Sequence, residues 1–276
     1  MDYRIGKDSD IVVLKKIWIE CFNDSSKGFK TFYKNNFKNM RFYVACDGTT
    51  VVASLYHIPC TINGEQSHYL YGASTLPKYR KRGIMRRLVD FSLNDAKSRG
   101  DKFSVLYPAN DRLYKYYEKL GYCKNCIRKT ATLTKEELMH IAEYSGFCIS
   151  MGINKMSQLR NSYLNKNTLN FSQEYMKYSV SATKHSGGYA VCSDRGYALV
   201  QEDKYGECTV SEFVSEDKGI FTTLGELLKN TDADKFTFNY PAIYNIFPKE
   251  EVVADGMINY LTDLKINDVY IGLRNE

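Results

Sequence analysis

Along the first half of the chain, the apolar positions switch between a two-residue and a 3.6-residue rhythm. A short strand pattern at residues 3–5 precedes Asp8 and Ser9, which can cap a helix with the apolar face Ile11, Leu14, Trp18 and Phe22. A polar stretch carrying aromatic residues then leads to an apolar run at 42–46. The dipeptides Asp47-Gly48 and Asn63-Gly64 flank a second run at 51–62, and both accept the positive φ of tight turns. Residues 42–46, 51–62 and 67–75 therefore read as three consecutive antiparallel strands. Pro77 breaks the third. From Ile84 a helical period runs through Met85, Leu88, Val89, Leu93 and Ala96, and Lys97, Arg99 and Gly100 mark its end. The apolar run at 103–107 is reached through that helix, so it pairs parallel to 67–75. Asn110 or Asp111 caps a further helix with Leu113, Tyr117 and Leu120 on one face, ended by Gly121. The expected fold is of the α/β (α+β) class, a mixed but mostly antiparallel sheet flanked by helices.

From Thr134 the pattern changes. Three helical segments occupy 134–185, with Leu138, Ile141, Met156, Leu159 and Tyr163 as core positions. Strand patterns follow at 188–192, 197–201 and 207–214, then a helix at 220–228 and a strand at 236–240 stopped by Pro241. This order repeats the middle of the first half. Residues 268–276 read as a final strand. Two related domains, 1–133 and 134–276, are predicted, and a length of 276 residues fits ~150 per domain.

Composition narrows the functional classes. Hydrophobic residues at 43% and charged residues at 25% exclude a disordered chain. No apolar run approaches the ~18 residues of a membrane span, and the opening residues carry no signal-peptide pattern. A cytoplasmic protein without membrane association is expected. The net charge of 38 − 32 = +6 is too mild for a nucleic-acid binder, and the basic residues are dispersed except at 78–87, which points to a local anion site. Eight irregularly spaced cysteines read as free thiols, and the Cys123/Cys126 pair has no second pair to complete a zinc site. His57, His68, His140 and His185 are scattered in sequence. No metal is expected.

The segment that carries chemistry places a strand, a basic turn and a helix start in succession: Ala73, Ser74 and Thr75, then Arg80, Lys81, Arg82 and Gly83, then Ile84, Met85 and Arg86. First-turn N–H groups of a helix have no internal partner and sit at the positive end of the macrodipole, so an anion is favoured there. Gly83 lets backbone approach a diphosphate, and the flanking cations strengthen the field. The Walker loop and the Gly-x-Gly-x-x-Gly turn are both excluded by the spacing. On the residues alone, a solvated basic helix start is the competing reading.

The run Arg80-Lys81-Arg82-Gly83-Ile84-Met85 resembles motif A of the GNAT superfamily of N-acetyltransferases, (Arg or Gln)-x-x-Gly-x-(Gly or Ala), with Met85 where a small residue is usual. Tyr117-Glu118-Lys119-Leu120-Gly121-Tyr122 is similar to that family's motif B, and the resemblance spans residues 1 to about 130. It implies acetyl-CoA as acyl donor, lying in a splay between the strands at 67–75 and 103–107. It further implies pantetheine contacts from Ala73, Ser74, Thr75 and Asn110, and a diphosphate held by Arg80, Lys81, Arg82, Gly83, Ile84, Met85 and Arg86. Catalysis falls to the Ala73 N–H, facing the thioester oxygen, and to Tyr117, protonating the departing thiolate as an amine attacks directly. The acceptor would be an amine-bearing small molecule or peptide. For Tyr117 a core role, and for Asn110 a helix-cap role, are the alternatives the residues themselves leave open.

In the second half the corresponding turn reads Ser215-Glu216-Asp217-Lys218-Gly219-Ile220, and its carboxylates would repel phosphate. A degenerate second GNAT-like domain that holds no CoA is expected. An active unit followed by a degenerate one resembles the enhanced intracellular survival family, without that family's sterol-carrier-like third domain. In that family a terminal carboxylate reaches the active site, which makes Glu276 a candidate base outside the main site set. Two other readings compete: an aminoacyl transferase of the tandem-GNAT kind, and a non-catalytic CoA-binding or scaffold module. The acceptor, the general base and the oligomeric state are left open by the sequence.

Overall fold

A computed structural model describes residues 1–144 and 151–273. The chain divides into two compact units, Met1–Lys124 with Gly256–Lys265, and Asn125–Asp255 with Ile266–Glu276. Among the described residues no helix is long and apolar enough to cross a membrane.

The first unit begins with β1 (Asp2–Ile5), α1 (Ile11–Phe22) and α2 (Ser26–Asn36). The second helix lies in the aromatic stretch that carried no element in the sequence reading. Its signal is the spacing of Phe29, Phe32 and Asn36, all buried on one face, behind a Ser25 cap that accepts from the Gly28 N–H. Strands β2 (Arg41–Asp47), β3 (Thr50–Ile62) and β4 (Glu65–Thr75) follow as an antiparallel meander. Then come α3 (Ile84–Ser98), β5 (Phe103–Leu106) and α4 (Asp111–Glu118). The strands lie in the order β1-β2-β3-β4-β5, with β4 and β5 parallel as expected. Leu55, Leu70, Leu88, Val89, Leu106 and Tyr117 lie in one buried cluster on the α3 face of this sheet. On the other face Trp18 stacks on Phe32 at 4.8 Å and meets Tyr56 edge-on at 6.0 Å.

The second unit holds β6 (Ile127–Thr134), α5 (Lys135–Ile141), α6 (Ile153–Tyr163), β7 (Asn170–Phe171), α7 (Gln173–His185), β8 (Tyr189–Cys192), β9 (Gly196–Glu202), β10 (Glu207–Ser215), α8 (Ile220–Asn230), β11 (Lys235–Tyr240) and β12 (Glu251–Ala254). Its sheet runs β12-β6-β11-β10-β9-β8, and only β10 and β11 pair parallel in it. Arg160 and Glu212, each 1% exposed, form a 2.7 Å ion pair in its interior. The remaining guanidinium donors bond the Leu169 and Ile271 carbonyls, and the carboxylate also accepts from Tyr197 and the Leu273 N–H.

Three features depart from the sequence reading. The units divide between Lys124 and Asn125, nine residues before the expected 133/134 boundary, because 127–134 is a strand of the second sheet. Its alternation of Lys129, Ala131 and Leu133 with exposed or half-buried residues is a period-two signal. The chain then returns to the first unit through β13 (Met257–Tyr260), which pairs antiparallel with β5, so that unit is not continuous in sequence. Of the predicted final strand at 268–276, the described residues 268–273 show only isolated bridges at Val269 and Tyr270. Glu276 lies outside the described residues.

Candidate active site

β4 and β5 pair only at Ser67↔Phe103, His68↔Ser104 and Tyr69↔Val105. β4 then runs on to Thr75 without β5 beside it, leaving an open main-chain edge over residues 70–75. Within this edge the register against β3 steps from Tyr56↔Tyr71 to Ser54↔Ser74, so Gly72 and Ala73 together oppose Leu55. That is a β-bulge, and Gly72 takes the required positive φ of 60°. A side chain at Gly72 would also strike Tyr56 and Trp18, at 2.9 and 3.1 Å.

Beyond the bulge the strand alternates regularly. The Leu76 N–H donates to the Val52 carbonyl at 3.0 Å, so Ser74 also faces β3 and Thr75 faces away. The Ser74 hydroxyl is buried against the Ser54 hydroxyl at 3.1 Å. Ser74, expected among the cofactor contacts, is thus turned into the sheet. The Thr75 carbonyl accepts from Arg80 Nε at 2.9 Å and from the Cys21 thiol at 3.4 Å, which leaves its N–H as the free group on the open edge. Burial pushes the Cys21 thiol up despite the nearby Arg80, so it stays protonated at neutral pH.

Pro77 opens a single 3-10 turn, and Lys81 and Gly83 then adopt positive φ of 63° and 73°. These two residues bend the chain so that α3 begins with its N-terminus toward the end of β4. The first bond back into the turn is Arg87 N–H to the Gly83 carbonyl at 3.2 Å, so the N–H groups of Ile84, Met85 and Arg86 lie upstream of it without helical acceptors. Ile84 is buried and Met85 packs against the core, so both present main chain rather than side chain to the turn. A Cβ at Gly83 would meet nothing within 4 Å, so the space before these amides is open. Arg80, Lys81, Arg82 and Arg86 are all exposed around it, and the Arg82 guanidinium lies 5.2 Å from the Tyr79 ring centre.

Tyr117 is 7% exposed in the core cluster, with Tyr116 and Tyr122 edge-on at 5.1 and 5.6 Å. Burial raises its phenol well above the ordinary value, so it remains a proton donor through the neutral range. Among the described residues its hydroxyl has no hydrogen-bond partner, whereas the Tyr122 hydroxyl is tied to Ser104 at 2.6 Å. Asn110 caps α4 through the Leu113 N–H at 3.2 Å. That structural role occupies its side-chain oxygen.

The equivalent region of the second unit is filled by its own chain. β10 and β11 pair from Glu207↔Lys235 to Val210↔Phe238, after which Asn239 Nδ2 bonds the Val210 carbonyl at 3.3 Å and the buried Tyr244 hydroxyl bonds the Ser215 carbonyl at 3.0 Å. At the following turn the Glu216 N–H bonds the Arg195 carbonyl, and a Cβ on Gly219 would come within 2.4 Å of the Arg195 side chain. Among the described residues no cluster of three or more His, Cys, Asp or Glu could hold a metal ion.

Residues 2–124 match the family profile described as an acetyltransferase (GNAT) domain. This stretch of the first unit is a GNAT domain. Matches to solved structures extend the likeness of fold to both units. An Enterococcus faecalis protein of unknown function aligns with a TM-score of 0.76 at 11% identity, over 94% of this chain and 72% of its own. A GCN5-related N-acetyltransferase from Anabaena variabilis gives 0.75 at 17% identity, over 95% and 73%. Eis1 from Mycobacterium abscessus gives 0.70 at 12% identity, over 95% and 74%. No curated protein matches the sequence. In the GNAT unit the sequence reading overlooked Gly72, whose place inside a strand is the usual mark of a bulge, and Cys21, which carried no signal.

Proposed function

We propose that the GNAT unit is an acetyl-CoA-dependent N-acetyltransferase in which an amine attacks the thioester directly. The observation that carries this reading is the open edge of β4 running straight into the basic turn before α3. The Thr75 N–H and the bulged Ala73 would hold the pantetheine arm as an added strand does. The amides of Gly83, Ile84, Met85 and Arg86, with Arg80, Lys81 and Arg82, would hold the diphosphate. At the acyl group the Ala73 N–H would stabilise negative charge on the carbonyl oxygen. The new C–N bond forms as the C–S bond breaks. Tyr117 passes its proton to the departing sulfur and is reprotonated at the expense of the attacking amine. The filled groove of the second unit supports one donor site per chain, in the first unit.

A thiol-release assay tests the reading: wild-type protein, acetyl-CoA and a panel of amines should yield free CoA and the acetylated amine in equal amounts. Binding of acetyl-CoA without turnover of any amine would leave a binding module, and use of an RNA-linked aminoacyl donor would point to the aminoacyl transferases.

A further inference from the structure

The acceptor-facing chemistry beside the β4 bulge is concentrated in the loop after α1. Trp18 is the chain's single tryptophan, and the ring edge opposite its N–H lies at Gly72, where a Cβ would sit 3.1 Å away. Its Nε1 donates to Asp24 Oδ2 at 2.8 Å, and the Ser25 N–H donates to Oδ1 at 2.5 Å. These two donors fix the carboxylate one indole ring away from the bulge. Asp24 is half-buried, and among the described residues it enters no ion pair. Its place is sterically reserved: a Cβ on Gly28 would fall 2.2 Å from Oδ2. Phe22, 43% exposed, stands edge-on to Trp18 at 4.9 Å, and the half-buried Tyr71 ring lies 6.0 Å from it. A fixed carboxylate outside any ion pair, hydrogen-bonded to an indole that itself packs against Phe22 and Tyr71, offers the charge that an organic ammonium group pairs with.

We infer that Asp24 is a specificity-determining residue that anchors a second cationic group on the acceptor, apart from the amine that is acetylated. The inference rests on the transferase reading for the word acceptor, but the cation site itself stands on the geometry of Asp24, Trp18 and Phe22. The acceptor class it selects is the aliphatic diamine or polyamine, in which one amine reacts at the bulge while another pairs with Asp24. A neutral or anionic acceptor gains nothing there.

Trp18 supplies a readout independent of turnover, because its indole N–H is bonded to the proposed anchor. Its fluorescence is titrated with 1,5-diaminopentane and with 1-aminopentane, in wild type and in the isosteric Asp24→Asn. The diamine should bind at least about tenfold more tightly than the monoamine, lose that advantage in Asp24→Asn, and weaken with added salt in the wild type. Equal affinity for the two amines, or an advantage that persists in Asp24→Asn, overturns the inference. The salt series in the wild type needs no variant, and affinity for the diamine that is indifferent to salt overturns it as well. Acetyl-CoA is titrated separately by calorimetry. A chain that fails to bind acetyl-CoA but keeps the Asp24-dependent diamine signal sinks the transferase reading and leaves the cation site standing.

Discussion

The rings of His57 and His68 stack face to face with centroids 3.6 Å apart and planes 10° from parallel, and each side chain is 2% exposed. His68 Nδ1 bonds Asp101 at 2.6 Å, while the other three ring nitrogens have no partner among the described residues. Around the pair stand Tyr43 and Arg41 of β2, Asp95 of α3 and Arg99, which caps that helix. Residues far apart in sequence thus become one buried unit joining β3 to β4, just where β4 still holds β5.

This pair predicts acid sensitivity of the first unit. Burial, then the charge of its neighbour and of Arg99 and Arg41, lowers the pKa of His57, and burial lowers that of His68 against the pull of Asp101. With folded-state values below the ordinary ~6.5, the unfolded chain binds protons more readily. Stability is therefore complete above that value and falls as pH drops through it, by at most about 1.4 kcal/mol per histidine per pH unit. Thermal unfolding at pH 7.5 and 5.5 checks this, and His57→Leu should flatten the difference. An unchanged pH dependence in the variant would remove the pair as its cause.

Replacing Gly83 by Ala separates binding from folding. The positive φ there costs a non-glycine residue about 1 kcal/mol, a small loss to the fold. The added methyl stands in the open space before the α3 amides, so affinity for acetyl-CoA, read by calorimetry, should drop at least about tenfold.

Substituting Tyr117 by Phe removes a hydroxyl that bonds nothing in the described protein. Melting temperature should be nearly unchanged and acetyl-CoA affinity preserved, while kcat falls by about a hundredfold. A variant as fast as wild type would make Tyr117 a core residue only.

The second unit rests on Arg160 and Glu212. Glu212→Gln leaves the guanidinium buried beside a neutral amide, and breaking such a pair costs about 3–5 kcal/mol. Chemical denaturation followed through this unit should register the loss, with donor binding in the first unit retained.

Much of this architecture is legible in the amino-acid sequence because local signals agree with the fold. Asp47-Gly48 and Asn63-Gly64 set the hairpins, and Gly83 with its arginines marks the basic turn before α3. What the sequence concealed depends on partners distant along the chain. Met257–Tyr260 is a strand because β5 offers it an edge about 150 residues earlier, and nothing local to it declares that pairing. Lys129 interrupts the apolar alternation of β6, yet it is buried because Glu250 and the Tyr244 carbonyl receive its ammonium group. At the site, the direction in which Ser74 points is decided by a bulge one residue earlier, and a motif does not encode that register.

The central claim is that the β4 edge and the turn before α3 receive the acyl donor, and backbone amide exchange with and without acetyl-CoA tests it most directly. Protection should rise at Ala73, Thr75, Gly83, Ile84 and Met85, with no change at the filled turn 215–220 of the second unit. Amides at 73–86 that exchange equally fast with and without the donor would contradict the account.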